Sequence, residues 1–313
     1  MKGHKDHSQQ ITLVQRTLLL IALLFLIVRG AEAYSLRQFS SKNGLSNSAI
    51  LSLCQDRNGI VWIGSCDGLN RYDGVNLGLY KPVDIRNSLS GNLIENIIEG
   101  EEDVLWIQTN YGLDRFDTRR QSIRTFHEFK DINRMAKSPE GDLFIIKDDG
   151  YIYYYPVGGK EFSRLNAEKI YFEDVRQIVI DSAGTLWVFS YGNDNRSYLI
   201  EKEEEKVTLV PCNYFDHSEK LLSAFAEGDV LYFIDGAYAL YEYELRTQKK
   251  YFIADLEEEI RYRGEVSSII KQKDDYFIGF KNSGLIQVKR LPESKIRYVV
   301  ERMNIQSGIF CLM

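Results

Sequence analysis

Short apolar segments separated by polar turns recur along the chain from about residue 34 onward. The best-preserved copy, VWIGSCDGLNRYDG (61–74), has an apolar segment ending in Trp-Ile-Gly, a turn, and a second segment that closes on Asp-Gly. Weaker copies occupy 104–117, 142–156, 185–201, 230–244 and 276–290. Apolar runs of this length, bounded by Gly, Asp and Asn, are typical of β-strands joined by tight turns.

An aromatic residue near the start of each copy gives the period of the repeat. The aligned residues are Trp62, Trp106, Phe144, Trp187, Tyr232 and Phe277, and their spacings are 44, 38, 43, 45 and 45. Each copy is preceded by another apolar segment and followed by a more charged one, which makes four strands per repeat. Four antiparallel strands at this period predict a β-propeller blade. Helical solenoids need apolar residues at helical spacing, and the frequent turns exclude them.

The repeated aromatic lies in the second strand, in the middle of each blade. Because neighbouring blades cover this strand on both faces, we expect the aromatic ring to fill the space between adjacent blades. Gly64 and Gly279, two residues after the aromatic in their copies, are expected to relieve crowding there.

The two ends of the repeat region predict one further, incomplete blade. SLRQFS (35–40) takes the place of an outer strand, and NIQSGIFCLM (304–313) repeats the form of GLSNSAILSLC (44–54). The sequence therefore predicts an all-β propeller domain over 34–313, with six complete four-stranded antiparallel blades and a partial seventh, as a truncated seven-bladed ring.

The N-terminal region has a different composition. Lys2, Lys5 and Arg16 precede the apolar run Leu18–Val28, and Ala-Glu-Ala (31–33) follows. This order predicts a signal peptide over residues 1–33 and export to the periplasm. An uncleaved anchor is the alternative, although the apolar run is shorter than the roughly 20 residues that span a bilayer.

Charge and reactive side chains narrow the function further. Without residues 1–33 the net charge changes from −6 to −8, so the exported part has no electrostatic reason to bind nucleic acid. The cysteines lack the spacing of metal ligands and are expected to be free thiols: Cys54, Cys66, Cys212 and Cys311. We expect no cofactor and no metal.

The first repeat resembles a known family. It contains four motifs in order: Gly-Leu-Ser (44–46), Gln-Asp-x-x-Gly (55–59), Trp-Ile-Gly (62–64) and Gly-Leu-Asn-Arg-Tyr-Asp (68–73). The same order is found in the two-component regulator propeller repeat, with Ser65 standing where the family has Thr. The second repeat keeps part of the pattern, and later repeats keep only the strands.

The resemblance implies the N-terminal periplasmic part of a Bacteroides-type hybrid two-component sensor. In that family two propellers and a β-sandwich precede a membrane span, a histidine kinase and often a DNA-binding response regulator. Most characterised members respond to oligosaccharides and control glycan-utilisation genes. The implied partners are an oligosaccharide or another small ligand and the remaining domains of the same sensor, and a homodimer is allowed. Nothing in this chain resembles a kinase, so the chain itself is predicted not to be an enzyme.

Candidate ligand-binding residues lie in the loops between second and third strands and between blades. Propellers bind ligands on this face, where a rigid scaffold presents the loops. The loops carry Ser46, Asn47, Asp67, Asn110, Tyr111, Asp149, Tyr191, Asn193, Asp235, Lys281 and Asn282. Tyr, Asn and Asp suit sugars through ring packing and hydrogen bonds to hydroxyls. The alternative is that most of these residues only form turns.

Two other functions stay open. An exported propeller enzyme acting on polysaccharide would need a close carboxylate pair or a His/Tyr cluster, and the sequence offers no obvious one. A structural propeller that binds another protein would present an apolar or aromatic face instead of a polar cleft.

Overall fold

The computed structural model describes ten segments of the chain: 36–83, 87–166, 169–170, 175–190, 196–203, 206–212, 221–281, 283–290, 298–303 and 309–312. One unit, Phe39–Gly308, contains six four-stranded antiparallel sheets, and in each sheet the strand order follows the chain. Outside these sheets, β1 (Leu36–Phe39) pairs with β26 (Ile309–Leu312) in a two-stranded sheet. These are the two segments that the sequence assigned to the partial seventh blade.

The strands of the first three blades are β2 (Ile50–Gln55), β3 (Val61–Ser65), β4 (Gly68–Tyr72), β5 (Leu77–Tyr80), β6 (Ile94–Glu99), β7 (Val104–Thr109), β8 (Gly112–Asp117), β9 (Ser122–Phe126), β10 (Ile132–Lys137), β11 (Leu143–Lys147), β12 (Ile152–Tyr155) and β13 (Ser163–Arg164). The strands of the last three blades are β14 (Val175–Ile180), β15 (Thr185–Ser190), β16 (Arg196–Glu203), β17 (Lys206–Cys212), β18 (Leu221–Glu227), β19 (Val230–Asp235), β20 (Ala239–Glu244), β21 (Lys249–Asp255), β22 (Val266–Gln272), β23 (Asp275–Phe280), β24 (Leu285–Arg290) and β25 (Tyr298–Met303).

The first strands of consecutive blades lie next to one another. In chain order the contacts run through β2, β6, β10, β14, β18 and β22. The first strands are therefore innermost and the fourth strands outermost, which is the arrangement of a β-propeller. The predicted fold, with six complete four-stranded blades, is confirmed.

The hydrophobic core lies between blades. Five clusters of buried side chains each join two consecutive blades. In β7, Val104 and Trp106 belong to the cluster shared with blade 3, whereas Leu105 and Ile107 belong to the cluster shared with blade 1. This alternation follows from the two-residue period of a strand, which places successive side chains on opposite faces.

The repeated aromatic has the predicted place in this core. In blades 1 to 5 it belongs to the cluster shared with the following blade: Trp62, Trp106, Phe144, Trp187 and Tyr232. Two of the tryptophans also form a hydrogen bond to the turn that precedes their strand. Trp62 Nε1 donates to Asp56 Oδ2 over 2.9 Å, and Trp187 Nε1 donates to Asp181 Oδ2 over 2.8 Å. The Asp-x-x-Gly turn is thus tied to the aromatic six residues after its Asp.

Gly64 allows blade 2 to approach blade 1 closely. A Cβ atom at Gly64 would lie 2.7 Å from Ile94 Cγ2 and 2.2 Å from Ser52 Oγ. Since real Cβ atoms do not approach other atoms so closely, a larger residue would push the first strand of blade 2 away. The expected relief of crowding at this position is confirmed.

One short α-helix among the described residues departs from the all-β pattern. Helix α1 (Glu257–Arg263) lies in the connection between blades 5 and 6. Its side chains Glu259 and Arg263 are nearly buried and form an ion pair over 2.9 Å. Tyr262 on the same helix is 80% exposed.

Candidate functional site

A cavity of about 280 Å³ lies between blades 1 and 2, on the face of the loops between second and third strands. Its lining residues are Asp67, Lys81, Pro82, Ser90, Gly91, Asn92 and Tyr111. Asp67 and Tyr111 are two of the residues predicted to bind a ligand, and they come from neighbouring blades. The structure thus brings part of the predicted site together around one opening.

The cavity wall combines an ion pair with an aromatic ring. Lys81 Nζ lies 2.6 Å from Asp67 Oδ2, and both side chains are partly exposed. An exposed pair of this kind contributes little to stability, at most about 1 kcal/mol. Tyr111 is 61% exposed, whereas most aromatic residues in the described segments are buried or half-buried. Both features are accessible to a ligand.

A buried polar cluster in blade 1, which we call the first clip, holds the loop that carries Asp67. The backbone NH of Ser46 donates to Asn70 Oδ1 over 2.9 Å, and Asn70 Nδ2 donates to Ser46 Oγ over 2.9 Å. The hydroxyls of Ser46 and Ser65 are 2.8 Å apart. Ser65 Oγ in turn accepts the backbone NH of Asp67 over 3.1 Å.

Blade 2 repeats this arrangement 44 residues later, in a second clip. Ser90 NH donates to Asp114 Oδ2 over 2.8 Å, and the hydroxyls of Ser90 and Thr109 are 2.7 Å apart. Thr109 Oγ1 accepts the backbone NH of Tyr111 over 3.1 Å. Thr125 Oγ1 also donates to Asp114 Oδ1 over 2.6 Å. The two clips therefore fix the backbone of Asp67 and Tyr111 on either side of the cavity.

The clips differ at one position, where Asn70 of blade 1 corresponds to Asp114 of blade 2. Asp114 is fully buried. Burial raises the pKa of its carboxyl above the ordinary value of 3.8, although hydrogen bonds from Thr125 and Ser90 oppose the change. A carboxylate at this position is costly to bury, and its three donors offset only part of that cost.

Two substitutions of Asp114 distinguish the contribution of its hydrogen bonds to stability from the cost of burying its charge. Asp114→Ala is expected to lower the free energy of unfolding by about 1–3 kcal/mol, since it leaves buried donors unpaired. Asp114→Asn copies Asn70 and should cost less. Because the folded-state pKa is raised, the stability of the wild type relative to Asp114→Asn should fall as the pH rises above about 3.8.

Denaturant unfolding of both variants from pH 3.5 to 7 measures this difference. The control is Asp73→Asn, because Asp73 is an exposed turn residue whose pKa is lowered to about 2 by backbone NH groups of Asn76 and Val75. The stability of the wild type relative to Asp73→Asn should change in the opposite direction, rising as the pH passes the ordinary value of 3.8 and staying constant above about pH 5. A constant difference for Asp114→Asn would contradict the raised pKa.

Three other predicted site residues lie apart from the cavity lining and form turns: Asn47, Asp149 and Asp235. Asn47 Oδ1 accepts Ala49 NH over 2.7 Å, and Asp149 Oδ1 accepts Tyr151 NH over 3.0 Å. Asp235 Oδ1 accepts two backbone NH groups, each over 2.9 Å. In the structure, these three side chains therefore act as turn formers, which was the alternative to ligand binding.

Two more predicted residues have partners of their own. Lys281 Nζ lies 2.8 Å from Glu265 Oε2. Asn110 Oδ1 accepts Leu93 NH over 3.4 Å and lies close to Gly91, which lines the cavity. Three predicted residues lie outside the described residues: Tyr191, Asn193 and Asn282.

The sequence prediction missed Lys81, Ser90 and Asn92, which lie in or just after the long connection between blades 1 and 2. A signal for Ser90 was present, because Ser-Leu-Ser (88–90) stands 44 residues after Gly-Leu-Ser (44–46), the spacing of the two tryptophans. Lys81 and Asn92 carry no such signal, since their place depends on the path of the connection.

A second cavity, of about 360 Å³, lies further out between the same blades. It is lined mainly by aliphatic and aromatic side chains, Leu79, Tyr80, Val83, Leu89 and Ile123 among them, and shares Lys81 with the first cavity. Leu79 and Val83 are each about half exposed. The groove between the two blades is thus polar near the loops and apolar toward the outer strands.

The described residues offer little for other chemistry. They contain no group of three His, Cys, Asp or Glu side chains that could hold a metal ion. Cys54, Cys66 and Cys212 are free, and burial raises the pKa of the Cys54 thiol to about 11. Cys311 lies in the segment whose side chains are not described.

Comparison with known proteins identifies the repeat. Residues 44–67 match the family described as two component regulator propeller. A stretch of 45 residues is 38% identical to histidine kinase P4 of Formosa agariphila, covering 14% of this chain and 3% of that protein. The predicted resemblance to the regulator propeller repeat is confirmed.

Solved structures with the same fold include two extracellular domains from B. thetaiotaomicron. That of the putative hybrid two component system BT3049 has a TM-score of 0.59 at 17% identity, covering 87% of this chain and 37% of that one. That of the putative one component system BT4673 has a TM-score of 0.57 at 17% identity, covering 88% and 38%. PorZ, a surface component of the type-IX secretion system of Porphyromonas gingivalis, has a TM-score of 0.59 at 14% identity, covering 86% and 34%.

These findings show a β-propeller whose first repeat matches the two component regulator propeller family. The domain is similar in fold to extracellular domains of a putative hybrid two component system and of a putative one component system, and it spans little more than a third of the length of those solved structures. At these identities the structural likeness shows the fold alone. None of the helices in the described part of the chain has the length and apolar character needed to cross a membrane. Residues 1–33, the predicted signal peptide, lie outside the described residues.

Proposed function

We propose that this chain is a non-enzymatic, ligand-sensing propeller in the periplasm, and that it binds one end of an oligosaccharide between blades 1 and 2. The observation that carries the proposal is the polar cavity in which Asp67, Lys81, Ser90 and Tyr111 meet. Ligand sites in proteins typically measure roughly 300–1,000 Å³. A cavity of about 280 Å³ suits a terminal sugar unit.

The chemistry of the wall supports a sugar. The ring of Tyr111 can pack on the C–H face of a pyranose, because sugar rings present apolar faces between their hydroxyls. The Asp67 carboxylate accepts hydroxyl hydrogens, the Lys81 ammonium donates, and the Asn92 amide does both. The paired charges of Asp67 and Lys81 add no net charge to the wall, which favours an uncharged ligand.

Sensing follows from the position of the site. A ligand held by residues of two blades favours one relative position of those blades, and so can bias a neighbouring domain. Under this proposal the chain acts with the remaining domains of a two-component sensor, and its ligand regulates glycan-utilisation genes. The hybrid and one component systems among the structural relatives support this context.

Truncating Tyr111 tests the cavity. Tyr111→Ala should weaken binding of the cognate oligosaccharide at least tenfold, about 1.4 kcal/mol. Gly91→Ala should weaken it as well, because Gly91 lines the cavity and the new Cβ would lie 2.3 Å from Asn110 Oδ1, so that the cavity wall has to shift. Calorimetric titration against a collection of neutral and acidic oligosaccharides measures both.

The control is Tyr262→Ala, which removes an even more exposed tyrosine on helix α1 and should leave binding unchanged. Equal affinities of wild type, Tyr111→Ala and Gly91→Ala for every bound oligosaccharide would rule out the cavity. If no oligosaccharide in the collection binds the wild type, the proposed function is wrong.

A second function is favoured by the outer, apolar cavity. Exposed Leu79 and Val83 beside an edge strand suit a protein partner, since apolar surface is characteristic of the centre of protein interfaces. PorZ shows that this fold also occurs in a bacterial surface component. Binding of a protein that is lost in Leu79→Ser, with oligosaccharide binding absent, would favour this alternative.

A further inference from the structure

All six first strands carry an irregularity at the same position. The pairing with the second strand shifts between the first and third residues of each first strand. The extra residues are Leu51, Glu95, Asn133, Arg176, Leu222 and Ser267. Such bulges re-aim a side chain and are common next to functional sites.

The position of the bulges places these residues at the mouth of the central channel. The first strands are innermost, and their beginnings pair with the ends of the second strands. The loops to the third strands start at that same point. The six extra residues therefore surround the channel on the face that also carries the cavity between blades 1 and 2.

Three consecutive blades supply polar groups to this ring, and each group is held by a second residue. In blade 2, Gln108 is buried and its Nε2 donates to Glu95 Oε2 over 2.8 Å. The same Nε2 lies 3.1 Å from the carbonyl oxygen of Ile132 in blade 3. A buried amide that bridges two blades thus fixes an exposed carboxylate.

Asn133 of blade 3 has an acceptor atom with no partner. Its Nδ2 donates to Asp148 Oδ1 over 2.9 Å, which sets the orientation of the amide because a carboxylate only accepts. Its Oδ1 is buried, and no hydrogen-bond partner for it exists in the part of the chain that the structure describes. Because this oxygen is buried, a ligand hydroxyl reaches it only when the Asn133 side chain turns toward the channel mouth.

The charges of the bulge residues and of the side chains next to them balance. Arg176 of blade 4 lies 4.0 Å from Glu265, which also contacts Lys281. Arg134 lies beside them, and its Nε donates to the carbonyl oxygen of Arg176. The acidic groups are Glu95, Asp148 and Glu265, and the basic groups are Arg134, Arg176 and Lys281. An anionic or cationic ligand therefore gains no net attraction, whereas a neutral ligand meets many donors and acceptors.

We propose that Glu95, Asn133 and Arg176 form a second carbohydrate subsite, at the channel mouth, for a neutral polyhydroxylated ligand. Carboxylate, amide and guanidinium are planar groups that form paired hydrogen bonds, and adjacent hydroxyls of a sugar complement them. The proposal rests on the proposed function for the class of ligand, but it assigns different residues on different blades.

Titration of the full chain with cellobiose, maltose, lactose and mannitol, followed by saturation-transfer NMR, tests the subsite. At least one of these probes should bind, and Glu95→Gln and Asn133→Ala should each weaken that binding tenfold or more. Arg176→Lys should weaken it several-fold, because an ammonium cannot form the paired bonds of a guanidinium. Glu227→Gln is the control, since Glu227 is an exposed carboxylate at the opposite end of a first strand. It should leave binding unchanged.

The outcomes separate the two sites. Loss of probe binding in Tyr111→Ala, with normal binding in Glu95→Gln and Asn133→Ala, would place the ligand in the cavity between blades 1 and 2 and overturn the channel-mouth subsite alone. Binding that no variant changes would contradict both sites. If none of the four probes binds the wild type, the channel-mouth subsite is overturned, and the proposed function is then decided by the larger oligosaccharide collection. Glu95→Gln is isosteric and exposed, so its result does not depend on a change in folding.

Discussion

Trp62→Ala is expected to lower the free energy of unfolding by about 3–5 kcal/mol, as truncation of a buried aromatic residue typically does. Trp62 is 1% exposed and belongs to the cluster that joins blades 1 and 2. Its ring lies 5.8 Å from that of Phe116 in blade 2, at a near-perpendicular 85°. The loss is large against the 5–15 kcal/mol of a typical domain, so the melting temperature should fall sharply.

Two further variants test the separate contributions of ring packing and of the hydrogen bond, and the equivalent residue in blade 4. Trp62→Phe keeps most of the ring contacts but loses the hydrogen bond to Asp56, and it should cost less than the alanine variant. Trp187→Ala should behave like Trp62→Ala, because Trp187 has the same Asp bond and the same place between blades 4 and 5. Thermal and denaturant unfolding measure all three. Unchanged unfolding curves for both alanine variants would refute the role of these residues between blades.

Ile97→Ala and Leu53→Ala are expected to differ strongly, although the two residues hold the same position in their blades. Each is the fourth residue of a first strand. Ile97 is 4% exposed and packs with Trp62, whereas Leu53 is 51% exposed. Ile97→Ala should cost about 2–5 kcal/mol. Leu53→Ala should cost well under about 1 kcal/mol, because most of its surface is already in water.

The same position is buried in blades 2 to 6, where it always packs with the aromatic of the preceding blade: Ile97, Met135, Ile178, Ala224 and Ile269. Leu53 is the exception within this series. Denaturant unfolding of the two alanine variants under one condition is the measurement, and equal losses of stability would contradict the difference in burial. Ile178→Ala serves as the positive control, since Ile178 packs with Phe144.

The sequence predicted the blades well because the information that specifies them is local. A strand shows its two-residue alternation, and a turn shows its Asp or Gly, within a few residues. The Asp56-x-x-Gly59 turn and the aromatic Trp62 recur as Asp181, Gly184 and Trp187 in blade 4, with the same spacing. The packing of the repeated aromatic residue between adjacent blades also followed from its place in the second strand.

That the candidate residues bind a ligand stays a prediction, and the structure shows where their side chains lie. Asp67 and Tyr111 were chosen for their loop positions, and both line the cavity between blades 1 and 2. Asn47, Asp149 and Asp235 were chosen by the same argument, yet their side chains cap backbone NH groups of their own turns. A sequence does not distinguish these cases, because Asn and Asp favour turns whether or not a ligand is near.

The sequence by itself determined the number of complete blades, the strands within them and the residues that face the next blade. These properties follow from repeated local patterns of apolar and polar residues. The tertiary structure decided which loops meet, so that Lys81 and Ser90 join Asp67 and Tyr111 around one cavity. It also decided that Leu53 is exposed although Ile97, at the same position of the next blade, is buried. Burial of this position depends on whether another blade packs against the first strand, and the local sequence pattern does not show that.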